Sequence, residues 1–187
     1  MALISQEYQK LNERFHVERE DYGTSGRHYA DRVMTLAAKL SETGPATILD
    51  YGCGKATLCE SLPQFRVHNY DPCIPEYAAR PESAYDLVVC TDVMEHVEPA
   101  STVEVLADIA SYAARAIFFQ IATRPAKKEL PDGRNAHINL AENIEWFYAM
   151  ADPEGPMRDF SINLYERIPT QDGEDAGLFL VLQRKPS

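Results

Sequence analysis

Two acids, two glycines and two histidines are spaced so that they could do chemistry. In Ile48–Leu58, ILDYGCGKATL, an apolar run leads through Gly52 and Gly54 into a helical pattern, the strand–turn–helix order of many nucleotide sites. A pyrophosphate-binding version needs a third glycine where the helix packs closely, and Thr57 holds that position. Asp50 stands two residues before Gly52. A carboxylate there repels a diphosphate but can accept hydrogen bonds from an ammonium group, so the site suits a ligand with a cationic amino-acid end. Asp71, 19 residues after Gly52, ends the second strand, RVHNYD, where a short acid can accept bonds from both hydroxyls of a ribose. His96 and His137 are the histidines that could orient a group or accept a proton near neutral pH.

The elements that must position these residues can be read from periodicity. Ile4, Tyr8, Leu11 and Phe15 give a helical stripe between Leu3 and about Glu20, and Tyr29, Val33, Leu36 and Leu40 give a second, ending before Gly44 and Pro45. The loop YGTSGRHY joins them, as either a lid or a plain turn. Strand and helix then alternate: TILDYG, a short helix KATLCESL, RVHNYD, YDLVVCTD, a helix from about Ala100 to Ala114 with Val103, Leu106 and Ile109 inward, and AIFFQIA. Continuously apolar strands in this order predict a parallel sheet covered on both faces. After a polar loop, LAENIEWFYAMA reads as a helix whose Trp146, Phe147 and Tyr148 serve packing. FSINLYERI and GLFLVLQRK form a hairpin around Asp172-Gly173.

Bulk composition narrows the classes. A chain of 187 residues, 45% hydrophobic and 25% charged, fits one soluble domain, with residues 1–41 as N-terminal helices and loop and residues 46–187 as the core. No apolar run is long enough to span a bilayer, and the first residues lack a secretory pattern, so a cytoplasmic setting is expected. Cys53, Cys59, Cys73 and Cys90 have no C-x-x-C spacing and read as reduced, mostly buried thiols. A formal charge of -11 disfavours nucleic acid as a partner.

Together, LDYGCGK, YDP and YDLVVCTDVMEHV, in this order, resemble the glycine, ribose-acid and fourth-strand motifs of class I S-adenosylmethionine-dependent methyltransferases. The resemblance runs from about Thr47 to Arg184 and implies a Rossmann-like three-layer α/β sandwich with an antiparallel closing strand. It implies S-adenosylmethionine as cofactor, with Asp50, Gly52 and Gly54 around its methionine part, Asp71 followed by Pro72 on the ribose, and Thr91 and Asp92 near the transferable methyl. Only 14 residues separate Asp71 from Asp86, too few for the family's usual helix and third strand. That edge strand is therefore expected to be missing, leaving about six, with the adenine resting on Cys73 and Ile74 and read by backbone amides or nearby polar groups.

On the acceptor side, HINLAENIEWF is similar to the His-containing segment after the fifth strand of ubiquinone-biosynthesis-type methyltransferases. This makes His137 a candidate base or acceptor-orienting group, with Asp92 as its catalytic neighbour, while His96 reads as structural support. Asp92, Glu95, His96 and His137 also look like a looser form of the metal site of small-RNA terminal 2′-O-methyltransferases. Glu-His after this strand is widespread in enzymes without a metal, so none is expected. The loop Thr123–His137 sets Arg124, Lys127, Lys128 and Arg134 against Glu129 and Asp132, a local excess of basic charge that could hold an anionic acceptor through Arg124 or Arg134. The expected activity is methyl transfer to oxygen or nitrogen of a small molecule. The competing readings are nucleic-acid methylation and a cofactor-binding partner subunit without turnover.

Overall fold

The computed structural model describes residues 3–42 and 44–186. Six strands form one sheet in the order β2-β1-β3-β4-β6-β5: β1 (Thr47–Tyr51), β2 (Arg66–Tyr70), β3 (Tyr85–Thr91), β4 (Ala113–Ala122), β5 (Phe160–Pro169) and β6 (Asp175–Arg184). The first four run parallel, and β6 enters antiparallel between β4 and β5. The hairpin turns at Gly173, whose φ of 83° places it in the left-handed region that glycine tolerates.

Strand alternation explains the three layers. In β1, β3 and β4, Ile48, Leu87, Val89 and Phe118 point to one face, where they meet Val33 and Ala37 of α2 (Ala30–Leu40) and Leu58 of α3 (Thr57–Ser61). Their neighbours Leu49, Val88, Cys90, Ile117 and Phe119 point to the other face, against α4 (Thr102–Tyr112) and α5 (Asn143–Ala151). Both sets are buried, so the strands carry no polar alternation. Each large side chain so buried contributes roughly 1.5–3 kcal/mol. Trp146 lies in this core at 3% exposure and Phe147 packs edge-on against Tyr165 of β5, but Tyr148 corrects the sequence reading: it is 66% exposed and serves no packing in the core. Val103 corrects the sequence reading: it is 62% exposed, because α4 presents Val105, Leu106, Ile109 and Ala110 to the sheet.

Between β2 and β3 there is a single 3-10 turn, Pro75–Tyr77, and β2 pairs only with β1. Among the described residues the edge strand is absent, as the short spacing predicts. The four cysteines are free, with Cys53, Cys73 and Cys90 buried. Among the described residues no helix is long and apolar enough to cross a membrane. Helix α1 (Gln6–Glu18) packs outside the sheet. Tyr8 and Phe15 lie against Leu130 and Ala136 of the basic loop, and α1 thereby roofs the carboxyl ends of the strands.

Candidate active site

The turn after β1 is shaped by what presses on it. Gly52 and Gly54 have φ of 77° and 52°, and a Cβ on Gly54 would stand 2.4 Å from the carbonyl oxygen of Gly23. Gly23 belongs to the loop between α1 and α2, and that loop is clamped onto the turn. Lys55 N donates to Gly23 O at 2.7 Å, and Lys55 Nζ donates to the carbonyls of Arg19 and Glu20 at 2.9 and 2.8 Å. Thr57 Oγ1 donates to Thr24 O at 3.0 Å and accepts from Arg27 N at 3.2 Å. The residue standing where a third glycine would be is thus a hydroxyl anchor for the overlying loop. Gly54→Ala meets both a backbone clash and an unfavourable φ, and is expected to cost about 1–3 kcal/mol of stability, read as a lower thermal midpoint. A wild-type midpoint would mean that the loop does not hold this position.

Two carboxylates line the floor. Asp50 is 3% exposed, and burial, with the nearby Asp71 charge adding to it, pushes its pKa from 3.8 up to about 7. Asp71 Oδ2 accepts from Gly54 N at 3.1 Å and its Oδ1 from Cys73 N at 2.9 Å. Burial raises its pKa, and the His16 imidazole and these two amides pull it back. Asp71 therefore ties the two nucleotide-site turns together while keeping further lone pairs on the cavity.

At the far end, Asp92 follows β3 with a φ of 53°, its amide donating to Gln120 O and Oε1 at 3.1 Å each. Tyr29 donates its hydroxyl to Asp92 Oδ2 at 3.0 Å, so the start of α2 is also fastened to the site. His96 Nδ1 lies 2.7 Å from Ala136 O and His137 Nδ1 lies 2.6 Å from Arg124 O. A carbonyl can only accept, so both Nδ1 atoms carry the proton and both Nε2 atoms keep a lone pair. The rings stand edge to face, 4.9 Å apart. Burial, with His137 adding to it, lowers the His96 pKa to about 3; burial also lowers that of His137, against which the Arg124 carbonyl and the Asp92 charge act. Both rings are neutral at pH 7.

Glu95 is fully buried, its Oε1 accepting from Ala122 N at 3.0 Å, and burial together with Asp92 raises its pKa well above the ordinary value. Atoms of Glu95, His96 and His137 able to ligate a metal lie within 4.8 Å of one another. Glu95 would have to lose its proton to serve as a ligand. In this state it braces the turn against β4.

Asp50, Gly52, Gly54, Asp71, Pro72, Cys73, Thr91, Asp92, Arg124 and His137 all line one cavity of about 530 Å³. Ile74 lies outside its walls. Arg134, expected beside the acceptor, is also outside: Asp132 two residues earlier holds its guanidinium at 2.7 Å, and the group lies 5.8 Å from the Tyr8 ring. Sequence reasoning missed Asn12, His16 and Tyr22, which line the cavity, and did not assign Tyr8 and Tyr29 to the site, although both were visible in the helical stripes. The signal available for the first three was polar or aromatic side chains placed beside an apolar stripe, a pattern shared with ordinary surface residues.

Known proteins place this geometry. No curated protein matches the chain in sequence. Among solved structures, the Burkholderia thailandensis 1,6-didemethyltoxoflavin-N1-methyltransferase with bound 1,6-didemethyltoxoflavin and S-adenosylhomocysteine is 18% identical. It has a TM-score of 0.58 over 87% of this chain and 80% of that one. The magnesium protoporphyrin IX methyltransferase of Synechocystis PCC 6803 with bound S-adenosylmethionine is 17% identical, with a TM-score of 0.59 over 85% and 79%. An N-methyltransferase of Bradyrhizobium japonicum WM9 in complex with S-adenosylhomocysteine is 15% identical, with a TM-score of 0.54 over 83% and 87%. These likenesses show the fold. The family model described as "Methyltransferase domain" matches residues 19–159, from the clamped loop through the glycine turn and His137 to the start of β5, and the chain belongs to that family of class I S-adenosylmethionine-dependent methyltransferases.

Proposed function

We propose that the chain transfers a methyl group from S-adenosylmethionine to an oxygen or nitrogen of a small, anionic acceptor. The observation that carries this is one cavity lined both by the buried acids Asp50 and Asp71 and by Asp92 and His137. Its volume of about 530 Å³ is that of a small-molecule site, roughly 300–1,000 Å³. The residues present fit the cofactor. Asp50, held near neutrality in the empty pocket by burial, becomes a favourable carboxylate beside an ammonium, and Asp71 retains lone pairs for ribose hydroxyls. When bound, S-adenosylmethionine supplies an electrophilic methyl group on a sulfonium.

The chain's own residues then have separate tasks. Tyr29 and the two Gln120 contacts fix Asp92, so the strand end is rigid where alignment matters most. His137, neutral and with Nε2 free, accepts the proton that an acceptor hydroxyl or amine gives up. The Asp92 charge raises the affinity of the imidazole for it. Helix α1 and its loop form one wall of the cavity, through Tyr8, Asn12, His16 and Tyr22. At the mouth, Arg124 and Lys127 line the wall and supply positive charge to a chain with a net -11. A carboxylate or phosphate on the acceptor meets them there.

Comparing carboxylated and phosphorylated small molecules with their neutral analogues tests this reading. The charged compounds should be preferred. Arg124→Ala should raise their apparent KM about tenfold or more, by loss of a charged hydrogen bond of roughly 1.5–3 kcal/mol, with cofactor affinity unchanged. Arg134→Ala should leave KM near wild type. Preference for neutral analogues together with an unaffected Arg124→Ala enzyme would remove the anionic acceptor from the account.

A further inference from the structure

The shortened segment after β2 leaves the adenine end of the cofactor without an obvious reader. Cys73 N donates to the Asp71 carboxylate and Ile74 N to the Asp71 carbonyl at 3.2 Å, so neither amide is free for a base edge. Donors and acceptors for the adenine must come from another element. Helix α1 lies across this part of the cavity, with Gln9 Nε2 donating to Pro72 O at 2.8 Å and Ser5 bonded through both N and Oγ to Glu98. Two of its side chains that line the cavity carry buried polar atoms without a partner, Tyr8 Oη and His16 Nδ1. An unpaired buried hydroxyl or imidazole nitrogen is costly to the fold, and a ligand that pairs with it recovers part of that cost. Leu3, Ile4, Val97 and Val105 supply apolar wall to the same cavity, the flat unpolar surround that a purine requires.

We propose that α1 replaces the missing edge strand as the reader of the adenosine. Tyr8 Oη bonds the amino-bearing edge of the adenine, and His16, beside Asp71, bonds the ribose. This rests on S-adenosylmethionine being the cofactor, and it adds a specificity role for residues of a helix outside the glycine, ribose-acid and strand-end motifs. The phenol suits the task because a hydroxyl both donates and accepts, matching the donor amine and acceptor nitrogen that adenine presents side by side. Its ring is already held from outside by the Arg134 guanidinium 5.8 Å away, which gives that arginine a place in the cofactor half of the site.

Calorimetry with S-adenosylhomocysteine and S-inosylhomocysteine, whose base carries an oxo group in place of the amine, reads both roles on the full chain. Wild type should bind the adenine compound at least tenfold more tightly. Tyr8→Phe, which keeps the ring and its packing, should reduce that ratio toward one chiefly by weakening the adenine compound. His16→Ala should weaken both compounds by a similar factor, about tenfold. Thermal midpoints near wild type for both variants will show that the helix still docks. If the properly folded Tyr8→Phe protein keeps the wild-type ratio, or His16→Ala binds both compounds as wild type does, α1 is not the reader. If wild type binds neither compound, the cofactor assignment itself falls, and this inference with it.

Discussion

His137→Ala is expected to lower kcat about 10²-fold or more while leaving S-adenosylhomocysteine affinity near wild type. Removing the imidazole does not release the loop that carries it. Asn139 N still donates to Glu95 O at 3.0 Å, and Asn139 Nδ2 still donates to Met94 O and Thr102 Oγ1. What disappears is a neutral Nε2 whose partner nitrogen is committed to the Arg124 carbonyl. An acceptor that must lose a proton then has nowhere nearby to place it. Burial lowers the His137 pKa, so the ring is in its basic form at pH 7 and activity should not rise further at alkaline pH on its account. A variant with wild-type kcat and wild-type pH dependence would assign the imidazole to loop support alone.

Cofactor affinity should weaken as pH falls through neutrality. In the free protein Asp50 titrates at about 7, raised by burial, and only its carboxylate form pairs with an ammonium. Binding therefore favours the ionised acid: affinity is full above pH 7 and falls by up to about tenfold per unit below it, with proton release on binding. Asp50→Asn removes both the charge and the titration. S-adenosylhomocysteine binding should drop roughly 10- to 100-fold at pH 8, the loss of about 1.5–3 kcal/mol for a charged hydrogen bond, and its pH profile should flatten. A steep acid limb that survives Asp50→Asn would move the titrating group elsewhere.

The sheet and the cofactor floor were legible because their residues have only one sensible environment. Ile48, Leu49, Val88 and Val89 are apolar on consecutive positions, which only a strand covered on both faces accommodates. Asp50 stands near the end of β1 and Asp71 directly after β2, and both line the cavity. The missing edge strand followed from a count of residues. Less could be read from the helices and loops, since an apolar stripe has the same spacing whether it meets a core or a ligand. Thus Tyr8 was visible as part of a stripe but not as a cavity wall, His16 lay off that stripe with nothing to mark it as lining the cavity, and Val103 was placed inward although α4 turns it to solvent. The basic loop gave charge without direction. Arg124 and Arg134 are alike in sequence, and only the fold shows that one lines the cavity while Asp132 holds the other outside it.

The central claim is that the β1 turn serves a sulfonium amino-acid nucleoside and not a dinucleotide. Titrating the protein with S-adenosylhomocysteine and with NAD by calorimetry at pH 8 tests it directly. The account expects saturable one-to-one binding of S-adenosylhomocysteine, lost or strongly weakened in Asp50→Asn, and no binding of NAD. Saturable NAD binding with no heat from S-adenosylhomocysteine would contradict it.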